Sequence, residues 1–123
     1  MRDFRKIKAW QLADDLTFAV YSATKKFPRE ETYGLISQLR RASSSVAANI
    51  AEGANRATKK DYLHFLSVGK GSLAETEYFL HLSKRLGYLT AQEYESVNGL
   101  CQEAAATLNG LMRAVKSESA AIG

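Results

Sequence analysis

From Ala9 to Val115 the apolar residues of this chain recur at three- and four-residue intervals, interrupted at Pro28, at Gly53–Ala57 and at Gly87. Such spacing lines up side chains on one face of an α-helix, whereas a half-buried strand needs strict alternation. The sequence therefore predicts an all-α fold of four helices, over about 8–26, 31–54, 59–86 and 91–117. In the first, Ala9, Leu12, Ala13, Leu16, Ala19, Val20, Ala23 and Phe27 share a face. Pro28 cannot continue it, lacking an N–H to donate and clashing with the preceding turn. Glu30 and Glu31 stand where carboxylates favour a helix start. The second helix offers Leu35, Leu39, Ala42, Val46 and Ile50, with an exit expected at Gly53 and Asn55.

Thr58 with Asp61 reads as an N-cap for the third helix, with Gly87 as its stop, and Thr90-Ala-Gln-Glu93 reads as a capping box for the fourth. The fourth helix carries a clean seam of Tyr94, Val97, Cys101, Ala104, Leu108, Leu111 and Val115, and residues from Ser117 onward read as a frayed tail. Short connections make consecutive helices antiparallel neighbours. The expected architecture is an up-down four-helix bundle, one domain over residues 1–123.

The third helix has one apolar stripe too many. Tyr62, Leu66, Gly69, Leu73 and Leu80 form one face, and Phe65, Val68, Ser72, Phe79, Leu82 and Leu86 form another. A wide stripe can pack on two neighbours in one bundle, or it can serve self-association. In the second helix the small residues Ala42 to Ala48, with three adjacent serines, would let another backbone approach closely. A polar stripe of Gln38, Arg41, Ser45, Asn49 and Glu52 lies away from its leucines. It is either a solvated surface or a set of hydrogen bonds that fixes register at a helix contact, and Asn49 is expected to be at least partly buried.

Several chemistries are set aside. Val68-Gly-Lys-Gly-Ser72 lacks the spacing and the strand-to-helix setting of a phosphate loop, and close helix packing explains Gly69 and Gly71 better. Asp61 and His64 have the spacing of half a di-iron site, but no second helix supplies its match, and Glu77 and His81 are one residue too far apart. Cys101 sits on an apolar seam, where a thiol behaves as a small hydrophobe. Glu75 falls on the second stripe of the third helix, and a buried ion pair with Arg40 or Arg41 is the preferred explanation for it. No catalytic residue, metal or cofactor is expected. A lone cysteine fits a reducing compartment. No apolar run approaches the ~18 residues of a membrane span and no signal peptide is visible, so a cytoplasmic location is expected.

The chain has 17 Lys+Arg against 13 Asp+Glu, a net charge of +4. The excess lies in the first three helices and their loops, while residues 90–123 are net negative. Arg40, Arg41, Arg56, Lys59, Lys60 and Lys70 are the candidate phosphate contacts. Gln38, Ser45, Asn49, Glu52 and Glu75 are the candidate structural or interface groups. The aromatics fall mostly on core faces, which leaves no evident platform for stacked bases.

The residues Tyr33-Gly-Leu, Gln38-Leu-Arg-Arg-Ala42, Ser45-Val46 and Asn49-Ile-Ala-Glu-Gly53 with Arg56 form a pattern. It continues through Phe65-Leu66, Gly71-Ser72-Leu73, Glu75 and Leu86-Gly-Tyr-Leu89, and the opening from Phe4 to Pro28, with Trp10 and Tyr21, fits as well. Over roughly residues 4–115 the chain resembles the bacterial family of 23S rRNA intervening-sequence proteins, the fourth helix matching in periodicity alone. The resemblance implies an up-down bundle assembled into a basic homopentamer. It also implies kinship to the accessory protein of diversity-generating retroelements, a pentamer that binds nucleic acid and a reverse transcriptase. No catalytic activity is established for the family. Five copies would carry about +20, enough to attract polyanions across a Debye length. The expected function is a non-catalytic, homo-oligomeric protein that binds RNA or DNA through phosphates. The alternative is a scaffold that recruits a protein partner and has no nucleic-acid affinity of its own.

Overall fold

The computed structural model describes residues 2–118. Four long helices, α1 (Lys8–Thr24), α2 (Leu35–Ala54), α3 (Lys59–Arg85) and α4 (Ala91–Lys116), carry the fold. Short 3-10 turns at Phe4–Lys6 and Arg29–Glu31 precede α1 and α2, and no strand occurs among the described residues. Each helix packs on its sequence neighbours and α1 also packs on α4, giving a closed antiparallel square.

The core is the set of faces that the periodicity marks out. Leu12, Leu16 and Val20 of α1 meet Leu39, Val46 and Ile50 of α2, Leu66, Leu73 and Leu80 of α3, and Val97, Cys101 and Leu108 of α4 in one cluster. Buried hydroxyls sit among them without breaking it. Thr24 and Thr76 return their O–H to the carbonyls of Val20 and Ser72, four residues back, at 2.8 and 2.9 Å. A polar side chain on a core face is tolerated when its helix satisfies it.

Helix ends follow local chemistry. Thr58 Oγ1 accepts from the Asp61 N–H at 3.1 Å, and Thr90 and Glu93 complete the capping box of α4. Gly87 ends α3 with φ +80°, and the N–H groups of Gly87 and Tyr88 bond to the carbonyls of Lys84 and Ser83. This is the left-handed exit that glycine makes cheap.

One boundary and one glycine role differ from the sequence expectation. The start of α2 lies at Leu35 rather than near residue 31. Glu31 belongs to a separate 3-10 turn, and its Oε1 accepts from the Leu35 N–H at 3.1 Å while its Oε2 accepts from the Tyr88 hydroxyl at 3.0 Å. The carboxylate caps the helix from outside instead of opening it. The end of α2 at Ala54, with Asn55 beyond it, is as expected, but Gly53 itself stays helical and buried. A Cβ there would lie 2.9 Å from Tyr62 Cδ1 and 3.0 Å from Phe65 Cβ, so its role is close approach of α3 rather than helix exit.

Candidate nucleic-acid interface

The polar stripe of α2 turns out to be a ladder against α3. Arg41 donates to Glu75 at 3.0 Å and to Gln38 at 3.1 Å. One rung on, the Ser72 hydroxyl donates to Ser45 Oγ at 2.9 Å, and Asn49 Nδ2 donates back to Ser45 O and Oγ at 2.8 and 3.0 Å. At the far end Arg56 pairs with Glu52 at 2.7 Å, its guanidinium 4.5 Å above the Phe65 ring. The short α2–α3 turn makes the two helices antiparallel, and the small residues Ser45, Ser72 and Gly69 let their backbones come close. Asn49 is half-buried, as expected. Glu75 does pair with Arg41, but in the open: both side chains are about half exposed, so the pair is a rim contact rather than a buried one.

The six candidate cations do not converge. Arg40 points away from Arg41, into the α1–α2 seam, where its Nε donates to Thr24 Oγ1 at 2.9 Å and its guanidinium lies 4.5 Å over the Tyr21 ring. Lys59 is held by the end of α4, donating to the carbonyls of Lys116 and Glu118 at 3.2 and 2.9 Å. Cations are favoured at a helix C-terminus, so its position has a structural explanation. Lys60 and Lys70 are exposed on α3, with no ion pair among the described residues.

Sequence reasoning missed Thr24 and Tyr21 as partners for Arg40. A threonine on the apolar face in the last turn of α1 was the available signal. It also missed how much apolar surface stays outside. Phe18, Tyr33 and Tyr78 are 76%, 95% and 56% exposed, and Tyr21, Val68 and Leu86 are exposed with them. Phe65, Phe79 and Leu82, on the second stripe of α3, are half-buried, whereas Ser72 is buried against α2. Four of the aromatics therefore lie outside the core, more than their spacing suggested. Gly71 faces open space, so close packing accounts for Gly69 and not for its neighbour.

The serine run, the histidines and the groove side chains have these neighbours. The hydroxyls of Ser43 and Ser44 donate to Arg40 O, and Ser45 is part of the ladder. His64 lies against the Phe65 ring and His81 against Tyr78. A shallow groove of about 390 Å³ between α3 and α4 is lined by Glu77, Tyr78, His81, Tyr94, Asn98 and Gln102, with Glu77 and Gln102 bonded across it. No group of three metal-ligating side chains occurs among the described residues, and no helix there is long and apolar enough to cross a membrane.

Cys101 is buried, its Sγ 3.8 Å from Leu73 O, and burial together with the nearby Glu77 carboxylate pushes the thiol from 9.0 up to about 12. The unfolded chain therefore gives up this proton near its ordinary value, while the folded chain keeps it. The associated stability is complete below pH 9.0 and is lost as pH rises toward about 12. Stability measured by urea melts should fall over that window, and Cys101→Ala should flatten the decline. A thiol reagent at pH 8 should label the folded protein at least ~100-fold more slowly than the unfolded chain. Rapid labelling in native buffer would show that the seam opens.

Four antiparallel helices closed around one apolar core define a four-helix-bundle protein whose polar groups serve helix contacts. The chain belongs to the 23S rRNA-intervening sequence protein family, whose model matches residues 5–110. A solved structure of similar fold comes from Bacteroides thetaiotaomicron and is described as a protein with unknown function from the S23 ribosomal protein family. It is 23% identical, covering 85% of this chain and 95% of its own, with a TM-score of 0.78. A search of curated proteins found no match.

Proposed function

We propose that this protein is a non-catalytic homo-oligomer that binds nucleic acid through phosphate contacts, with the pentamer implied by the family resemblance as its assembly. The observation that carries the reading is the apolar surface one copy leaves uncovered, above all Tyr33, Phe18 and Tyr78, with Val68 on α3 and Leu86 at its end. Large exposed hydrophobics on a small protein favour a protein contact. A second copy supplies one at no cost in partners, because most soluble assemblies are of identical chains.

Assembly then gathers charge. At +4 per chain, each added copy strengthens the field that draws in a polyanion. Binding of this kind acts on the phosphate backbone, weakly selective for sequence and steeply dependent on salt. The Ser43, Ser44 and Ser45 hydroxyls, bonded within the fold, and the buried Cys101 thiol support a role without catalysis.

Native mass spectrometry of the protein purified with and without nuclease tests both parts together. The expected result is one oligomer, with five subunits, that carries nuclease-sensitive mass before treatment. A monomer at micromolar concentration would overturn the assembly. A protein partner that co-purifies and survives nuclease, from an oligomer with no affinity for RNA or DNA at low salt, would establish the scaffold function instead.

A further inference from the structure

We infer that the polyanion surface is one end of the bundle, where α1 and α3 begin and α2 and α4 finish, rather than the α2–α3 face; the inference rests on the nucleic-acid reading above. Antiparallel topology brings three separate stretches of sequence to this end. Arg2, Arg5, Lys6 and Lys8 arrive with the opening turn and the start of α1. Arg56, Lys59 and Lys60 flank the α2–α3 turn, and Arg113 and Lys116 lie in the last turn of α4. The acidic residues here are Asp3, Glu52, Asp61 and Glu118. Nine of the 17 basic residues and four of the 13 acidic ones thus share one end, a net of +5. The rest of the molecule, eight basic against nine acidic, is net −1. All of the protein's surplus positive charge is at one pole.

Direct contacts hold these stretches together. The Arg2 guanidinium lies 4.4 Å over the Tyr62 ring of α3 and 3.6 Å from Glu118 beyond α4, and Lys59 ties α3 to the α4 carbonyls. Three arginines of this end rest on rings, Arg2 on Tyr62, Arg5 on Phe4 at 5.4 Å and Arg56 on Phe65 at 4.5 Å. A stacked guanidinium keeps its N–H edges outward and loses little freedom when a phosphate docks. Those same arginines engage Glu118, Asp3 and Glu52. Lys6, Lys8, Lys60, Arg113 and Lys116 make no ion pair among the described residues. Helix dipoles do not decide the matter, since two N-termini and two C-termini meet here and offset one another. The end of a four-helix bundle is about 20 Å across, room for several phosphates of one strand.

Two variants of equal total charge test the placement. One replaces Lys6, Lys60, Arg113 and Lys116 by glutamine, and the other replaces Lys25, Arg29, Lys84 and Arg85, so each chain becomes neutral overall. Affinity for a fluorescein-labelled polyuridylate is titrated across salt concentrations, with melts by circular dichroism as the folding control. The first variant should lose affinity by ~30-fold or more, with its salt slope shallower by about three, while the second stays within ~3-fold of the unsubstituted protein. Equal losses in both would overturn the placement and leave the nucleic-acid reading standing. Failure of the unsubstituted protein to bind at low salt would overturn that reading and the placement with it. Binding to phosphatidylserine vesicles but not to polyuridylate would do the same. Should the first variant melt early, the pair Lys6→Gln and Lys60→Gln, both exposed, should still lose ~5-fold, and an unchanged affinity would sink the inference.

Discussion

Replacing Tyr62 by alanine should cost this bundle about 3–5 kcal/mol, a large share of the stability of a domain this size. Tyr62 is 1% exposed although it lies in the first turn of α3, where a helix would ordinarily fray. Its ring fills the space that Gly53 leaves on α2 and supports the Arg2 guanidinium from beneath. Burial holds the phenol neutral above its ordinary range, with Arg2 pulling the other way. Alanine would leave a cavity between two helix ends and free the chain's opening turn from α3. Tyr62→Phe keeps the ring and should cost under ~1 kcal/mol. Urea denaturation followed by circular dichroism separates the two. A loss below ~1.5 kcal/mol for the alanine variant would mean that the ring is not a keystone of this end.

The fold was legible because the period of the apolar residues survives in every helix. All of Leu35, Leu39, Ala42, Val46 and Ile50 are buried, and so are Val97, Cys101, Ala104, Leu108 and Val115. The caps at Thr58 and Thr90 and the stop at Gly87 were legible for the same reason: each works within four residues of chain. What failed depended on distant partners. Glu31 acts on Leu35 and Tyr88 together, and the second of these is 57 residues away. Arg40 and Arg41 are adjacent in sequence yet serve opposite seams, because consecutive helical residues point about 100° apart. The candidate interface was the least legible part. A cluster in sequence, Arg56 to Lys60, marks the basic pole, but Arg113 and Lys116 belong to a helix whose overall charge is negative. Only folding back the helices shows that the positive end of α4 lies beside them.

Gly53→Ala and Gly71→Ala should move stability in opposite directions, although both put a methyl group on a helix. Alanine is intrinsically favoured over glycine in a helix by about 1 kcal/mol. At Gly71 a Cβ meets nothing within 4 Å, so that preference should be realised as a gain of about 0.5–1 kcal/mol. At Gly53 the new atom would lie 2.9 Å from Tyr62 Cδ1, 3.0 Å from Phe65 Cβ and 3.3 Å from Tyr62 O. The last two are parts of α3's own frame, not the ends of flexible side chains, so α3 must move away from α2. Overpacking of this kind costs about 1–3 kcal/mol, more than the intrinsic preference returns, and a net loss of about 1–2 kcal/mol is expected. In a Tyr62→Ala background one of the three clashes is gone, and the same substitution should cost less, with a coupling of about 0.5 kcal/mol or more. Additive losses would place Gly53 out of contact with Tyr62. A gain at Gly53 equal to that at Gly71 would remove the reason for glycine where α2 meets α3, and with it the close approach that holds the basic pole together.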